Sequence, residues 1–307
     1  MTWTTSDMGD LGGMTAVVTG PSRGGIGYDT ALELARHGAR VVLAGRSQGK
    51  LDEAAAGIRG EVPDASLEQV ILDLSDLSSV RAAATAIAEL GPVDRLVNNA
   101  GVMATPYRRT SDGLEQQLAT NHFGPFLLTG LLLPSLVASG SAFGGARVVT
   151  VSSVGHRMAT SAPVGDPLTQ GRYHRWPTYF RTKLANLLFT YELDSRLRAA
   201  GLAVSALAAH PGLVSSHLIS NGGSFGPLSR IADVAYPVIS QKPAQGAWPS
   251  LMAATADLPG GTYVGPSGPA ESRGAPEVVG SNRRSHDADA QRRLWEVSER
   301  ITGITYP

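Results

Sequence analysis

A β-branched run, a glycine-rich turn and a stretch of helical spacing stand side by side near the start of the chain, and the pattern then repeats. The run is Thr15 to Thr19, the turn spans Thr19 to Gly27, and helical spacing covers Thr30 to His37. Strand signals recur at Arg40 to Ala44, Gln69 to Leu72, Arg95 to Asn98, Arg147 to Ser152 and Ala203 to Ala208. Helical segments alternate with them at Lys50 to Arg59, Leu77 to Leu90, Asp112 to Val137 and Thr178 to Ala200. Repeated βα units of this spacing require a parallel sheet with helices on both faces. Right-handed crossovers make it doubly wound and place ligands at the carboxyl ends of the strands.

The pattern loosens after Pro211. Residues 215–242 mix Gly, Ser, Pro and apolar side chains and read as a substrate lid. Gln245 to Ala256 reads as a helix, Thr262 to Val264 as a short strand and Asp287 to Arg300 as a polar terminal helix. Residues 265–307 form a C-terminal extension, loop-rich up to 286. The expected fold is α/β: one domain over residues 1–307, with about seven strands in a doubly wound sheet. The 307 residues suffice for one large core.

Composition removes several function classes. The chain has no cysteine, so disulfides, thiolate nucleophiles and cysteine metal sites are excluded. Its 26 basic and 26 acidic side chains balance, which argues against a nucleic-acid partner. The seven histidines show no HExxH spacing, and no metal site is expected. The first residues lack the basic and apolar regions of a signal peptide. The longest apolar stretch, Phe126 to Val137, is broken by Pro134 and reads as a buried helix rather than a membrane span. A cytoplasmic enzyme with a small-molecule substrate is the expectation, and a homodimer is compatible with it.

The turn TGPSRGGIG occupies the strand-to-helix junction of the first βα unit, the context that a dinucleotide fingerprint needs. Glycine permits a tight turn and a close approach to pyrophosphate, and the following helix offers unpaired N–H groups. Gly20, Ser22, Arg23, Gly25, Ile26 and Gly27 are therefore candidate cofactor contacts. The second strand ends with Gly45 where an acid would hold the ribose 2′-OH of NAD, and Arg46 follows. A guanidinium can pair with a 2′-phosphate, and Arg23 adds a second cation. NADP(H) is thus expected over NAD(H); two solvated surface arginines are the plain alternative.

Tyr179 and Lys183 are four residues apart and share one helix face. An ammonium beside a phenol favours phenolate and lowers a pKa that is ordinarily about 10. Tyr179 can then exchange a proton with a carbonyl or alcohol oxygen. Ser153, just past the fifth strand signal, can hydrogen-bond the same oxygen.

NNAG at Asn98 to Gly101, TNHFGPF around Asn121, VSS ending at Ser153, Tyr179-Phe-Arg-Thr-Lys183 and HPGLVSS from His210 follow the glycine turn in order. This ordered set resembles the short-chain dehydrogenase/reductase family, whose members share a Rossmann fold. The turn departs from the family pattern by one residue, with four residues rather than three between Gly20 and Gly25. The resemblance implies that Asp73 and Leu74 contact adenine, and that Asn99, Ala100 and Gly101 line the cofactor. It implies that Pro211, Gly212, Val214 and Ser216 face the nicotinamide carboxamide. Asn121, Ser153, Tyr179 and Lys183 would form the catalytic set, with Lys183 also holding the ribose and Ser153 preferred to Ser152. Alternatively, Asp73 is a helix cap and Asn121 only bends its helix.

NNAGVM, TNHFGPFLLT, KLANLLFTYEL and the tail GGTYVGPSG are most similar to the retinol-dehydrogenase-like group and its bacterial oxidoreductases. A medium-sized, lipophilic or polyketide-like carbonyl or alcohol is the expected substrate, as for a ketoreductase. His156 and His174 read as rim residues. Two further readings remain: C=C reduction, dehydration or epimerisation with the same tyrosine, and a cofactor-sensing protein without catalysis.

Overall fold

Among the described residues seven strands lie parallel: β1 (Thr15–Thr19), β2 (Arg40–Gly45), β3 (Leu67–Ile71), β4 (Arg95–Asn98), β5 (Ala146–Val151), β6 (Val204–Ala209) and β7 (Tyr263–Pro266). An eighth, β8 (Pro276–Val278), runs antiparallel to β7 at the edge. The computed structural model describes residues 2–140, 142–165, 173–214 and 240–307. The strand order is β3-β2-β1-β4-β5-β6-β7-β8. The chain winds outward in both directions from β1 and β4, so the sheet has its topological switch there. This is the Rossmann architecture expected from the alternating pattern, with one strand more.

The register explains why the strands read as nearly continuous apolar runs. Val42, Val17, Leu96, Val148 and Ala206 are cross-strand neighbours in one row. They pack into one core with α3 (Leu77–Glu89) and α5 (Gly124–Ala138). The next row, Leu43, Val18, Val97, Val149 and Leu207, points to the opposite face. It packs with α1 (Ile26–Arg36), α2 (Gln48–Glu61) and a later helix, Pro243–Thr255. Successive side chains alternate between faces, and both faces are covered, so neither row can be polar.

The helix expected from Asp112 instead begins at α4 (Gln116–Leu118), where Glu115 accepts hydrogen bonds from Gln117 N and Leu118 N at 2.9 Å each. Asp112 accepts from Leu77 N at 3.0 Å, at the start of α3. A π-helical turn, Ala119–Phe123, joins α4 to α5. The helix continues through Pro134 rather than breaking there. By length and composition the run Gln116–Ala138 could cross a membrane, but 72% of its most apolar window is buried inside the protein.

Two more helices complete the described fold before its end: α6 (Arg175–Ala199), and α7 for Pro243–Thr255. The last, α8 (Ala288–Thr302), lies across α6. It places Trp295 against Phe126 and stacks it on Phe189, with ring centroids 5.0 and 6.0 Å away. Most of the anticipated lid, residues 215–239, lies outside the described residues, and Ser216 with it. Its far end is described. Gln241 donates through N to Leu213 O at 2.8 Å and through Nε2 to Pro211 O at 2.7 Å.

Candidate active site

The cleft opens where β1 and β4 diverge. Thr19 ends β1 and ties the two strands together: its hydroxyl accepts from Asn99 N and Ala100 N, both at 3.0 Å. Asn99 Nδ2 donates back to Thr19 O at 2.8 Å. Gly20 follows with φ +68°, and a Cβ there would lie 2.9 Å from Ala100 Cβ. The additional residue of the turn is absorbed at Ser22–Gly25, where Gly25 N bonds Ser22 O at 3.0 Å and Gly24 takes φ +76°. Arg23 is thereby set at an exposed turn tip. Gly25 is the N-cap of α1 and brings no side-chain cap. A Cβ on Gly27 would sit 2.3 Å from Asn99 Nδ2. Bare backbone thus forms a cradle at the positive end of α1, which fits a pyrophosphate.

The cleft has a volume of about 730 Å³. The glycine turn, with Gly20, Ser22, Arg23, Gly25, Ile26 and Gly27, forms one wall. Arg46 lies at the end of β2, and Asp73 and Leu74 follow β3; all three line the same end. Asp73 does not cap α3. Its Oδ1 accepts from Ser75 N at 2.9 Å, while Asp76 caps the helix through Ser78 N and Ser79 N. Asn99, Ala100 and Gly101 form the floor, and Pro211, Gly212 and Val214 the far wall. Sequence reasoning missed Lys50, which lines the cleft in the first turn of α2, four residues beyond Arg46. The strand-to-helix junction carried that signal.

Ser153, Tyr179 and Lys183 line the same cleft beyond the glycine turn. Ser153 caps the helical turn Val154–Met158, its Oγ accepting from Gly155 N at 3.0 Å. Ser152 points elsewhere: its buried hydroxyl donates to Lys183 O at 2.8 Å. Lys183 is buried, and its Nζ donates to Val151 O at 2.9 Å. It lies 5.9 Å from the centre of the Tyr179 ring. Burial pulls the Lys183 pKa down from 10.5 to about 8.

Asn121 stands behind the cleft, not on its wall. It lies within the π turn, and such turns often accompany functional sites. Its Oδ1 accepts from Val102 N at 2.8 Å, and its Nδ2 donates to Val102 O and Thr182 Oγ1, both at 2.9 Å. A Cβ on Gly101 would lie 3.1 Å from Asn121 Oδ1 and 3.5 Å from Lys183 Nζ. The asparagine therefore locks the segment after β4 against α6. His156 is fully buried instead of lying on the rim, while His174 is exposed. Burial lowers the His156 pKa to about 4. Met103, Phe180, Leu213 and Ala270 also line the cleft. Ala270 comes from the C-terminal extension, where no local pattern marks it.

This cleft, at the switch of a doubly wound sheet, defines a nucleotide-binding α/β protein. Residues 14–222 match the family described as short chain dehydrogenase, and the chain belongs to that family. Within this oxidoreductase family, which uses nicotinamide cofactors, it falls in the retinol-dehydrogenase-like group. It is 38% identical over 303 residues to human retinol dehydrogenase 13, covering 96% of this chain and 86% of that protein. Mouse polyprenol dehydrogenase is also 38% identical, with 95% and 84% covered. A solved structure of an uncharacterized protein from Mycobacterium paratuberculosis is 40% identical, covers both chains fully and superposes with a TM-score of 0.80.

Proposed function

We propose that the chain transfers a hydride between NADP(H) and the alcohol or carbonyl carbon of a medium-sized lipophilic substrate. One observation carries this reading: a single cleft joins the glycine cradle and Arg23, Arg46 and Lys50 to Ser153, Tyr179 and Lys183. The cations suit a 2′-phosphate, and no acid stands at Gly45 to favour a free 2′-hydroxyl. Asp73 and Leu74 suit adenine, and Val214 suits the carboxamide. The bound nicotinamide supplies or accepts the hydride.

The remaining work falls to side chains. Ser153 holds the substrate oxygen by a hydrogen bond. Tyr179 donates a proton to that oxygen in reduction and removes one in oxidation. The Lys183 ammonium favours the phenolate and is itself steered by Val151 O. Asn121 keeps the floor of the cleft at a fixed distance from α6.

Met158, Trp176 and Phe180 give the substrate end an apolar wall. Two similar proteins are named for retinol and polyprenol, both lipophilic alcohols. Retinal and a short polyprenal are therefore the first substrates to try, with NADPH and NADH compared by nicotinamide absorbance. Oxidation of NADPH dependent on either aldehyde is expected. Failure with every carbonyl and alcohol offered would overturn the hydride-transfer reading.

A further inference from the structure

The segment between β7 and α8 touches both loops that flank the Ser153 end of the cleft. Arg157 lies in the helical turn directly after Ser153. It donates to Glu271 Oε1 at 2.5 Å and to Gly280 O at 2.9 Å. Asn282 N donates to His156 Nε2 at 3.2 Å, which leaves His156 Nδ1 to donate to Ser153 O at 2.7 Å. On the other side, Leu213 N donates to Ser272 O at 2.8 Å. His210, at the end of β6, places Nε2 2.9 Å from Glu271 Oε2. Gly212 N approaches His210 Nδ1 at 3.3 Å, so the neutral ring carries its proton on Nε2, facing the carboxylate. One carboxylate therefore spans both loops.

Two features set this junction apart from ordinary packing. Ala270 and Glu271 are consecutive non-glycine residues with φ +52° and +53°. Such backbone strain persists where surrounding contacts over-determine it, and it clusters at functional sites. The His210–Glu271 contact is also off the line of a well-formed hydrogen bond, and among the described residues neither atom has another hydrogen-bond partner. Buried polar atoms are normally satisfied. Burial holds the His210 pKa down, and His210 followed by Arg157 holds that of Glu271 down, so a neutral ring faces an ionised carboxylate.

We infer that Glu271 is a positioning residue, fixing the separation of the Ser153 loop from the Pro211–Val214 loop and hence how a substrate oxygen meets the nicotinamide. This rests on the hydride-transfer reading above. The side chains of Arg157 and Glu271 are 44% and 22% exposed, and ion pairs so exposed add little stability. Removing the charge should therefore disturb geometry more than folding.

The test uses the full chain with Glu271→Gln, which keeps the side-chain shape, and Arg157→Ala beside Arg157→Lys. With NADPH and retinal, Glu271→Gln should lower kcat roughly tenfold, since small misplacements at a reacting centre slow turnover strongly. The isotope effect with NADPH deuterated at the transferred hydride should rise, and the melting temperature should barely move. Arg157→Ala should reproduce the loss, and Arg157→Lys should restore part of it. Amide exchange, read without turnover, should quicken together at residues 154–158 and 212–214 in Glu271→Gln. Unchanged kcat, isotope effect and exchange would overturn the inference. A fall in melting temperature with an unchanged isotope effect would also overturn it and leave a structural strap. If the parent reduces no carbonyl, the hydride-transfer reading fails separately. Exchange still decides: joint quickening supports the bridge, and quickening at one loop or neither overturns it.

Discussion

At one end of the cleft Arg23, Arg46 and Lys50 stand exposed, while Lys183 and Ser152 at the other, with Asn121, His156 and His210 behind them, are buried. The exposed cations lie at a turn tip, a strand end and a first helical turn. Water screens them, and their long side chains can adjust to a charged partner. Asn121 and His156 are each fixed by two or three side-chain hydrogen bonds and Lys183 and Ser152 by one, and desolvation alters the basicity of Lys183 and His156. The first end can attract a ligand with charge; the second can hold reacting atoms still. The same residue type behaves differently in the two settings, as Lys50 and Lys183 illustrate.

The largest expected effect lies at the buried end. Tyr179→Phe keeps the ring and removes the hydroxyl, so turnover should fall at least ~100-fold with NADPH binding intact. Steady-state rates and a fluorescence titration check both halves. Near-normal turnover would put the chemistry elsewhere.

Lys183→Met should separate stability from activity. Below about pH 8 the folded protein carries the buried ammonium and its full desolvation penalty. Between about 8 and 10.5 the folded state releases that proton while the unfolded chain keeps it, so stability rises with pH. A displacement of that size corresponds to roughly 3 kcal/mol as an upper figure. The methionine variant should therefore melt higher than the parent at neutral pH, with turnover lost, and the gap should close towards pH 10.5. Parallel melting curves across this range would break the contrast between the two ends.

At the exposed end, Arg46→Ala should weaken NADPH by roughly 1.5–3 kcal/mol through one lost charge-assisted contact. NADH affinity should hardly change, and added salt should shrink the difference. Equal affinities for the two cofactors in the parent would remove the NADP(H) assignment. The smallest effect is a sharpening one. Ser152→Ala should cost about 1 kcal/mol of stability, because its hydroxyl bonds Lys183 O, with little change in turnover. Ser153→Ala should lose turnover, at a stability cost of similar size from the lost bond to Gly155 N, as denaturant melts beside rates would show.

The exposed end was the more legible in sequence. β1 coincides with its β-branched run and β4 with its strand signal at both boundaries, and the glycine turn announces itself by composition. Tyr179 and Lys183 were legible because their spacing puts them on one helix face and because they stand in order with the glycine turn, NNAG, Asn121 and Ser153. β8 was not, because three residues beginning with proline, two of them exposed, carry no alternation. Helix α1 starts at Ile26, four residues before its helical spacing becomes visible, because the glycines at its mouth hide it. The His156, His210 and Glu271 junction draws on three distant stretches, and no local period connects them. Burial of His156 depends on Tyr263 and Asn282, which arrive more than a hundred residues later.

The packing of α5 bears on how the chain is made. Gly130 leaves room for the Tyr306 ring, since a Cβ would lie 2.6 Å from it, and the Tyr306 hydroxyl donates to Phe126 O at 3.1 Å. Trp295 closes the same surface. During synthesis from the N-terminus, the sheet and its first helices can form as they leave the ribosome. The outer face of α5 cannot, because its cover is translated some 160 residues later. A chain stalled or cleaved before residue 295 would leave that face of α5 uncovered.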